Sequence, residues 1–212
     1  MSPLYAIVDI DLCATNGLAP EDVAAAFIRG GAGTLQLRAK SMGAADLLAL
    51  ARRVAPTAAA AGVALVINDR VDVARTAGLG VHVGQGDLPV AEARRLLGGG
   101  AIIGVSTHTP AQLEAALAEP ATYVAFGPVF ATATKRHPDP VVGLDGLRTA
   151  ARRSARVGMP LVAIGGITLD RAPAVVAAGA GAAAVIGDLL GGEAGPESRA
   201  RQFLSALTAK LV

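Results

Sequence analysis

Apolar runs of four to six residues alternate with Ala-rich stretches of helical spacing from one end of the chain to the other. The spacing predicts strands at Leu4 to Asp9, Thr34 to Arg38, Val63 to Ile67, Gly80 to Val83, Ala101 to Val105, Thr122 to Phe126, Leu161 to Ile164 and Ala182 to Ile186. Between and after them it predicts helices at Glu21 to Arg29 (with Pro20 at the start), Ala44 to Ala61, Val71 to Ala77, Val90 to Leu97, Pro110 to Ala118, Leu144 to Val157, Leu169 to Ala178 and Glu197 to Lys210. Eight strand–helix units with no linker or composition break predict an α/β fold, a single-domain (β/α)8 TIM barrel over residues 1–212. A doubly wound open sheet is the competing arrangement, but eight regular units favour closure.

One strand breaks the apolar rule. In Thr34-Leu35-Gln36-Leu37-Arg38-Ala39-Lys40, Leu35, Leu37 and Ala39 share one face and Thr34, Gln36, Arg38 and Lys40 the other. Parallel strands of α/β proteins are covered on both faces. An amide and two cations at the C-terminal end of such a strand therefore need a partner, and an anionic ligand is the simplest.

Composition narrows the setting. At 52% hydrophobic and 17% charged residues the chain is globular. Its mean hydropathy of +0.49 is spread along the sequence. No uncharged apolar run of about 18 residues is present, so no membrane span is expected. The N-terminus lacks the basic-then-apolar pattern of a secretory signal, and the single Cys13 fits a reducing compartment, so a cytoplasmic location is expected. A net charge of +2, no basic cluster and 3% aromatics argue against nucleic acid as a partner. Small molecules are the expected partners, and the pattern leaves a homo-oligomer open.

In a (β/α)8 barrel the chemistry sits at the C-terminal strand ends. The polar residues there are Gln36, Arg38, Lys40, Asn68, Asp69, Gln85, Asp87, Ser106, His108, Thr132, Thr134 and Lys135, with Gly165-Gly166 and Gly187 after the last two strands. Gly165-Gly166-Ile167-Thr168 reads as the opening of a helix whose amides would face a phosphate; tight turns alone are the other reading. Asp69 and Asp87 beside Arg38, Lys40 and Lys135 suit a magnesium ion bridging them to a diphosphate. On spacing alone, salt bridges from Asp69 to Arg70 or Arg38 serve as well. The isolated Cys13 and unclustered histidines argue against zinc. Ser106 near His108 is weak support for covalent catalysis, and Cys13 has no basic neighbour to activate it. His82 reads as a packing or hydrogen-bonding group, and His137 as a solvent-exposed loop residue.

Six motifs in order resemble the thiamine-phosphate synthase family. They are Gln36-Leu37-Arg38-Ala39-Lys40, Asn68-Asp69, His82-Val83-Gly84-Gln85-Gly86-Asp87, Gly104-Val105-Ser106-Thr107-His108-Thr109, Gly127 to Lys135, and Ile164-Gly165-Gly166-Ile167. The resemblance runs from Leu4 to the last helix. It implies a (β/α)8 barrel that joins a hydroxymethylpyrimidine diphosphate to a thiazole phosphate, its carboxylated form expected, giving thiamine phosphate and diphosphate. By match, Gln36, Arg38, Lys40, Asn68, Ser106 and Lys135 would bind the pyrimidine diphosphate, and Arg38, Lys40, Ser106 and Lys135 would serve the chemistry. Asp69 and Asp87 would bind one magnesium per subunit. Thr132, Thr134, Gly166, Ile186 and Gly187 would bind the thiazole phosphate.

Two departures stand out. Gly187 occupies a position where the family usually has Ser, and Asp188 follows it where a phosphate would be repelled. The loop after Lys135 carries an extra-looking His137-Pro138-Asp139-Pro140, and Ala131 to Val142 is the expected lid. A related isomerase that aromatises a thiazole phosphate, and a non-catalytic thiazole-phosphate-binding barrel, are the competing functions. The isomerase branch tends to lose the diphosphate and metal residues and to carry a His where this chain has Pro128. The retained Asp69 and Asp87 speak against both.

Overall fold

A computed structural model describes residues 2–132 and 139–209. Among these residues, eight parallel strands close in sequence order, the last pairing with the first. They are β1 (Leu4–Asp9), β2 (Thr34–Arg38), β3 (Ala64–Asn68), β4 (Gly80–Val83), β5 (Ile103–Thr107), β6 (Tyr123–Phe126), β7 (Leu161–Ile164) and β8 (Ala182–Val185). The helices are α1 (Ile10–Thr15), α2 (Pro20–Arg29), α3 (Ala44–Ala60), α4 (Val71–Ala77), α5 (Val90–Leu97), α6 (Pro110–Leu117), α7 (Gly143–Arg156), α8 (Ala172–Ala177) and α9 (Gly195–Thr208). Strand alternation sorts the side chains into two layers. Leu35, Leu37, Ile67, Val81 and Ile103 point outward and pack with Phe27, Leu47, Leu50 and Phe203 from the helices. Tyr5, Ile7, Val66, Tyr123, Ala125, Val162, Ala182 and Ala184 fill the interior. The polar face of β2 therefore faces inward: Thr34 and Gln36 are buried. The closed α/β barrel expected from the sequence is what forms.

Four local expectations change. β5 starts two residues later and runs to Thr107, so Ser106 lies inside a strand. The cause is Arg94, which gathers the carbonyls of Gly98, Gly99 and Ala101 and keeps Ala101 in the preceding loop. β3 likewise extends to Asn68, which pairs with His82. α8 begins only at Ala172, so Gly165-Gly166 does not open a helix. Both glycines take left-handed backbone conformations, with φ of 100° and 62°. A Cβ on Gly166 would lie 2.3 Å from the Ala131 carbonyl oxygen and one on Gly165 2.4 Å from Pro128, so the loops after β6 and β7 meet there. Finally, α1 was absent from the sequence reading; the Asp9 carboxylate caps it by accepting from the Leu12 amide at 3.0 Å. A short 3-10 turn at Gly187–Leu190 follows β8.

Candidate active site

A cavity of about 290 Å³ opens at the C-terminal ends of the strands. Its floor is apolar, formed by Ile7, Ala125, Val162 and Ala184 with the ring of Tyr5. One wall carries Gln36, Arg38, Asn68, His82, Ser106 and His108. The opposite side is backbone-rich, with Gly165, Gly166, Ile186 and Gly187 near Thr132, Thr168 and Arg171. The strand-end residues selected in the sequence thus divide between a polar wall and a glycine end of one cavity.

Arg38 does not wait for a ligand. It forms an ion pair with Asp9 at the end of the neighbouring strand, with side-chain exposures of 16% and 4%. Within the protein, Arg38 thus already has a carboxylate partner, which the sequence reading of this strand end did not include. Asp9, unremarked in the sequence, was missed because pairing between β1 and β2 is a three-dimensional fact: Asp9 aligns with Arg38 in register.

Lys40, Asp69 and Asp87 lie outside the cavity lining. Lys40 is half exposed and pairs with Asp69 at 2.5 Å. Neither Arg70, which pairs with Asp72, nor Arg38 takes Asp69. Asp69 sits at φ 62°, a left-handed conformation that Asp tolerates better than most residues. The Asp87 carboxylate accepts from the Gly84 amide at 2.7 Å. Burial pushes its carboxyl above the usual aspartate range, and the neighbouring Asp69 carboxyl pushes the same way, against Gly84 and the charge of Lys40. Two neighbouring carboxylates, one of them beside a lysine, fit a hard divalent cation such as magnesium. No third His, Cys, Asp or Glu joins them among the described residues, so the remaining ligands would be water and substrate oxygens.

At the glycine end, Asp188 does not oppose an incoming phosphate unscreened. Its carboxylate accepts from the Leu169 amide at 3.0 Å and from Arg199 at 2.8 Å. Arg171 stands over the Phe130 ring at 4.9 Å and donates to the Gly166 carbonyl at 2.8 Å. It brings a cation to this end that the sequence reading missed, since Arg171 follows the strand end by seven residues. Thr132 lines the cavity, whereas Thr134, Lys135 and His137 lie outside the described residues.

Ser106 has a histidine partner, but it is His82 at 2.8 Å and not His108. His108 instead meets the Gly127 carbonyl at 2.7 Å and lies 3.5 Å from Asp139. The other ring nitrogen of His82 meets the Tyr123 hydroxyl, the place that a carboxylate holds in a nucleophilic triad. Cys13 is buried on α1; burial, then the charge of Asp9, pushes its thiol up to about 11, which removes it as a nucleophile. No helix of the described residues is long and apolar enough to cross a membrane.

Comparison with known proteins bears on what this cavity does. A family model described as TMP-TENI, thiamine monophosphate synthase, matches residues 4–189. A thiamine-phosphate synthase from Koribacter versatilis is 44% identical over 212 residues, covering 96% of this chain and 95% of its own. One from Anaeromyxobacter dehalogenans is 46% identical over 208 residues, covering 97% and 88%. Among solved structures, a thiamine phosphate pyrophosphorylase from Pyrococcus furiosus superposes with a TM-score of 0.85 at 25% identity, covering 97% of this chain and 96% of that one.

Proposed function

Because the chain belongs to the thiamine monophosphate synthase family, we propose that it is a transferase joining a hydroxymethylpyrimidine diphosphate to a thiazole phosphate in thiamine biosynthesis. The observation that carries this reading is the division of one cavity between a wall of amide, cation and hydroxyl groups and a glycine end with its own cation. In this reading Gln36, Arg38, Asn68 and Ser106 hold the pyrimidine diphosphate, with Lys40 reaching in from outside the lining. Lys135 joins them by sequence match. Gly166, Ile186 and Gly187 offer backbone amides to the thiazole phosphate, with Thr132 and, by match, Thr134.

The reaction breaks the bond between the pyrimidine methylene carbon and the diphosphate oxygen, and forms a bond from that carbon to the thiazole nitrogen. The ring nitrogen attacks with its own lone pair and has no proton to lose, so no general base is required. Asp69 and Asp87 would hold magnesium, which when bound supplies positive charge to the departing diphosphate. Arg38 and Lys40 add to that charge, each loosened from its carboxylate partner as the anion enters. The apolar floor of Ile7, Ala125 and Val162 keeps water from the carbon as the diphosphate leaves. Holding two substrates in one small cavity supplies the remaining rate.

Calorimetry tests the two-ended assignment. One thiazole phosphate should bind per chain with or without magnesium, and the pyrimidine diphosphate should bind only with it. Equal magnesium dependence for both ligands would contradict separate ends.

A further inference from the structure

Beneath the cavity runs an unbroken line of polar contacts that crosses the apolar interior of the barrel. The Gln36 amide nitrogen donates to the Tyr5 hydroxyl at 2.7 Å. That hydroxyl lies 2.8 Å from the hydroxyl of Tyr123. Tyr123 lies 2.9 Å from His82 Nδ1, and His82 Nε2 lies 2.8 Å from Ser106 Oγ. Both tyrosines are buried, at 1% and 0% exposure, and burial holds their hydroxyls above their usual range, so each remains a neutral O–H.

With the Gln36 nitrogen as the donor to Tyr5, hydrogen counting sets the direction of each later link. A tyrosine hydroxyl has one hydrogen, and a buried one must be used. Tyr5 accepts from Gln36 and so gives its hydrogen to Tyr123. Tyr123 accepts from Tyr5 and so gives its own to His82 Nδ1. A neutral imidazole that accepts at Nδ1 carries its proton on Nε2 and donates it to Ser106. The Ser106 hydrogen is left for the cavity that Ser106 lines. At the other end, the orientation that gives one N–H of the Gln36 amide to Tyr5 leaves its carbonyl oxygen as the acceptor for the same cavity.

We propose that Tyr5, Tyr123 and His82 are positioning residues, a one-directional hydrogen-bond relay that sets Ser106 as a donor and Gln36 as an acceptor toward the substrate. The two walls of the cavity are thereby coupled, because reversing either end requires reversing every link. The relay selects a ligand with a donor facing Gln36 and an acceptor facing Ser106. An aminopyrimidine carrying a diphosphate has both kinds of group, and this identification rests on the proposed function. The fold makes room for the relay: a Cβ on Gly104 would lie 2.0 Å from the Tyr123 ring and 2.5 Å from His82 Nδ1. The ring of Tyr123 stacks on His82 and meets Tyr5 edge-on, so removing one hydroxyl leaves the packing in place.

Two measurements test this. In the first, ¹⁵N–¹H correlation spectra of the histidine rings are recorded on the whole protein without ligand at alkaline pH, with His82→Gln used to assign the signal. The relay requires His82 protonated at Nε2, and Tyr123→Phe should shift it to a tautomer mixture. A wild-type His82 protonated at Nδ1 would overturn the proposal. In the second, Tyr5→Phe and Tyr123→Phe should each lower kcat/KM for the pyrimidine diphosphate by about tenfold, the effect of one hydrogen bond. The KM for the thiazole phosphate should stay unchanged, and the double variant should lose no more than either single one. Additive losses, or equal effects on both substrates, would refute the relay. If the wild-type protein makes no thiamine phosphate, the proposed function fails while the tautomer measurement still decides the relay.

Discussion

At Asp87, charge and burial act together. Its carboxyl is raised by burial and then by Asp69. An acid raised in the folded state binds more protons there than in the unfolded chain, so in metal-free protein its contribution turns against folding as pH rises through the aspartate range. Asp87→Asn, which keeps an acceptor for the Gly84 amide, should therefore melt above wild type in EDTA at neutral pH. The gap should narrow as pH falls towards about 4; a pH-independent gap would exclude charge as its cause. In activity the same variant, like Asp69→Asn, should lose about 100-fold or more of coupling while retaining thiazole phosphate binding. Gly187 gives the opposite kind of prediction. An added Cβ would find Leu12 at 3.8 Å, an ordinary contact. Gly187→Ser should therefore fold normally and lower the KM for the thiazole phosphate about three- to tenfold through one new donor; an unchanged KM would place the phosphate elsewhere. The residue types of this site were readable because strand ends list themselves in sequence. Their partners were not: Arg38 finds Asp9 and Lys40 finds Asp69 only through barrel register and loop geometry.

Among the elements, β5 carries the most compressed design. Gly104 faces inward where Tyr123 and His82 must fit, so Gly104→Ala should cost about 3 kcal/mol. Thermal unfolding should show a Tm roughly 6–12 °C lower. Strands β1, β2, β4 and β7 and helices α4 and α5 fall where apolar spacing puts them. The elements that moved did so for reasons outside their own periodicity. β5 lost Ala101 to the guanidinium of Arg94. α8 shortened because two left-handed glycines and the Leu169 amide, taken by Asp188, delay the first helical turn. α1 depends on a cap from Asp9, which in sequence looks like the last residue of a strand.

For the molecule as a whole, closure is what converts an alternating pattern into a site. Joining β8 to β1 brings Gly187 and Arg38 to the lining of one cavity, and joining β5 to β6 sets Tyr123 beside His82 inside the ring. The eight-unit rhythm announced a barrel, but a buried polar line spanning five strands could not be read from any one of them. One cavity has to hold both substrates for a coupling reaction. The most direct measurement mixes purified protein with the pyrimidine diphosphate and the thiazole phosphate, with magnesium or with EDTA, and follows thiamine phosphate by fluorescence after oxidation. Product should form with magnesium and not with EDTA. Absence of product under both conditions, with thiazole phosphate still bound, would contradict the proposed function.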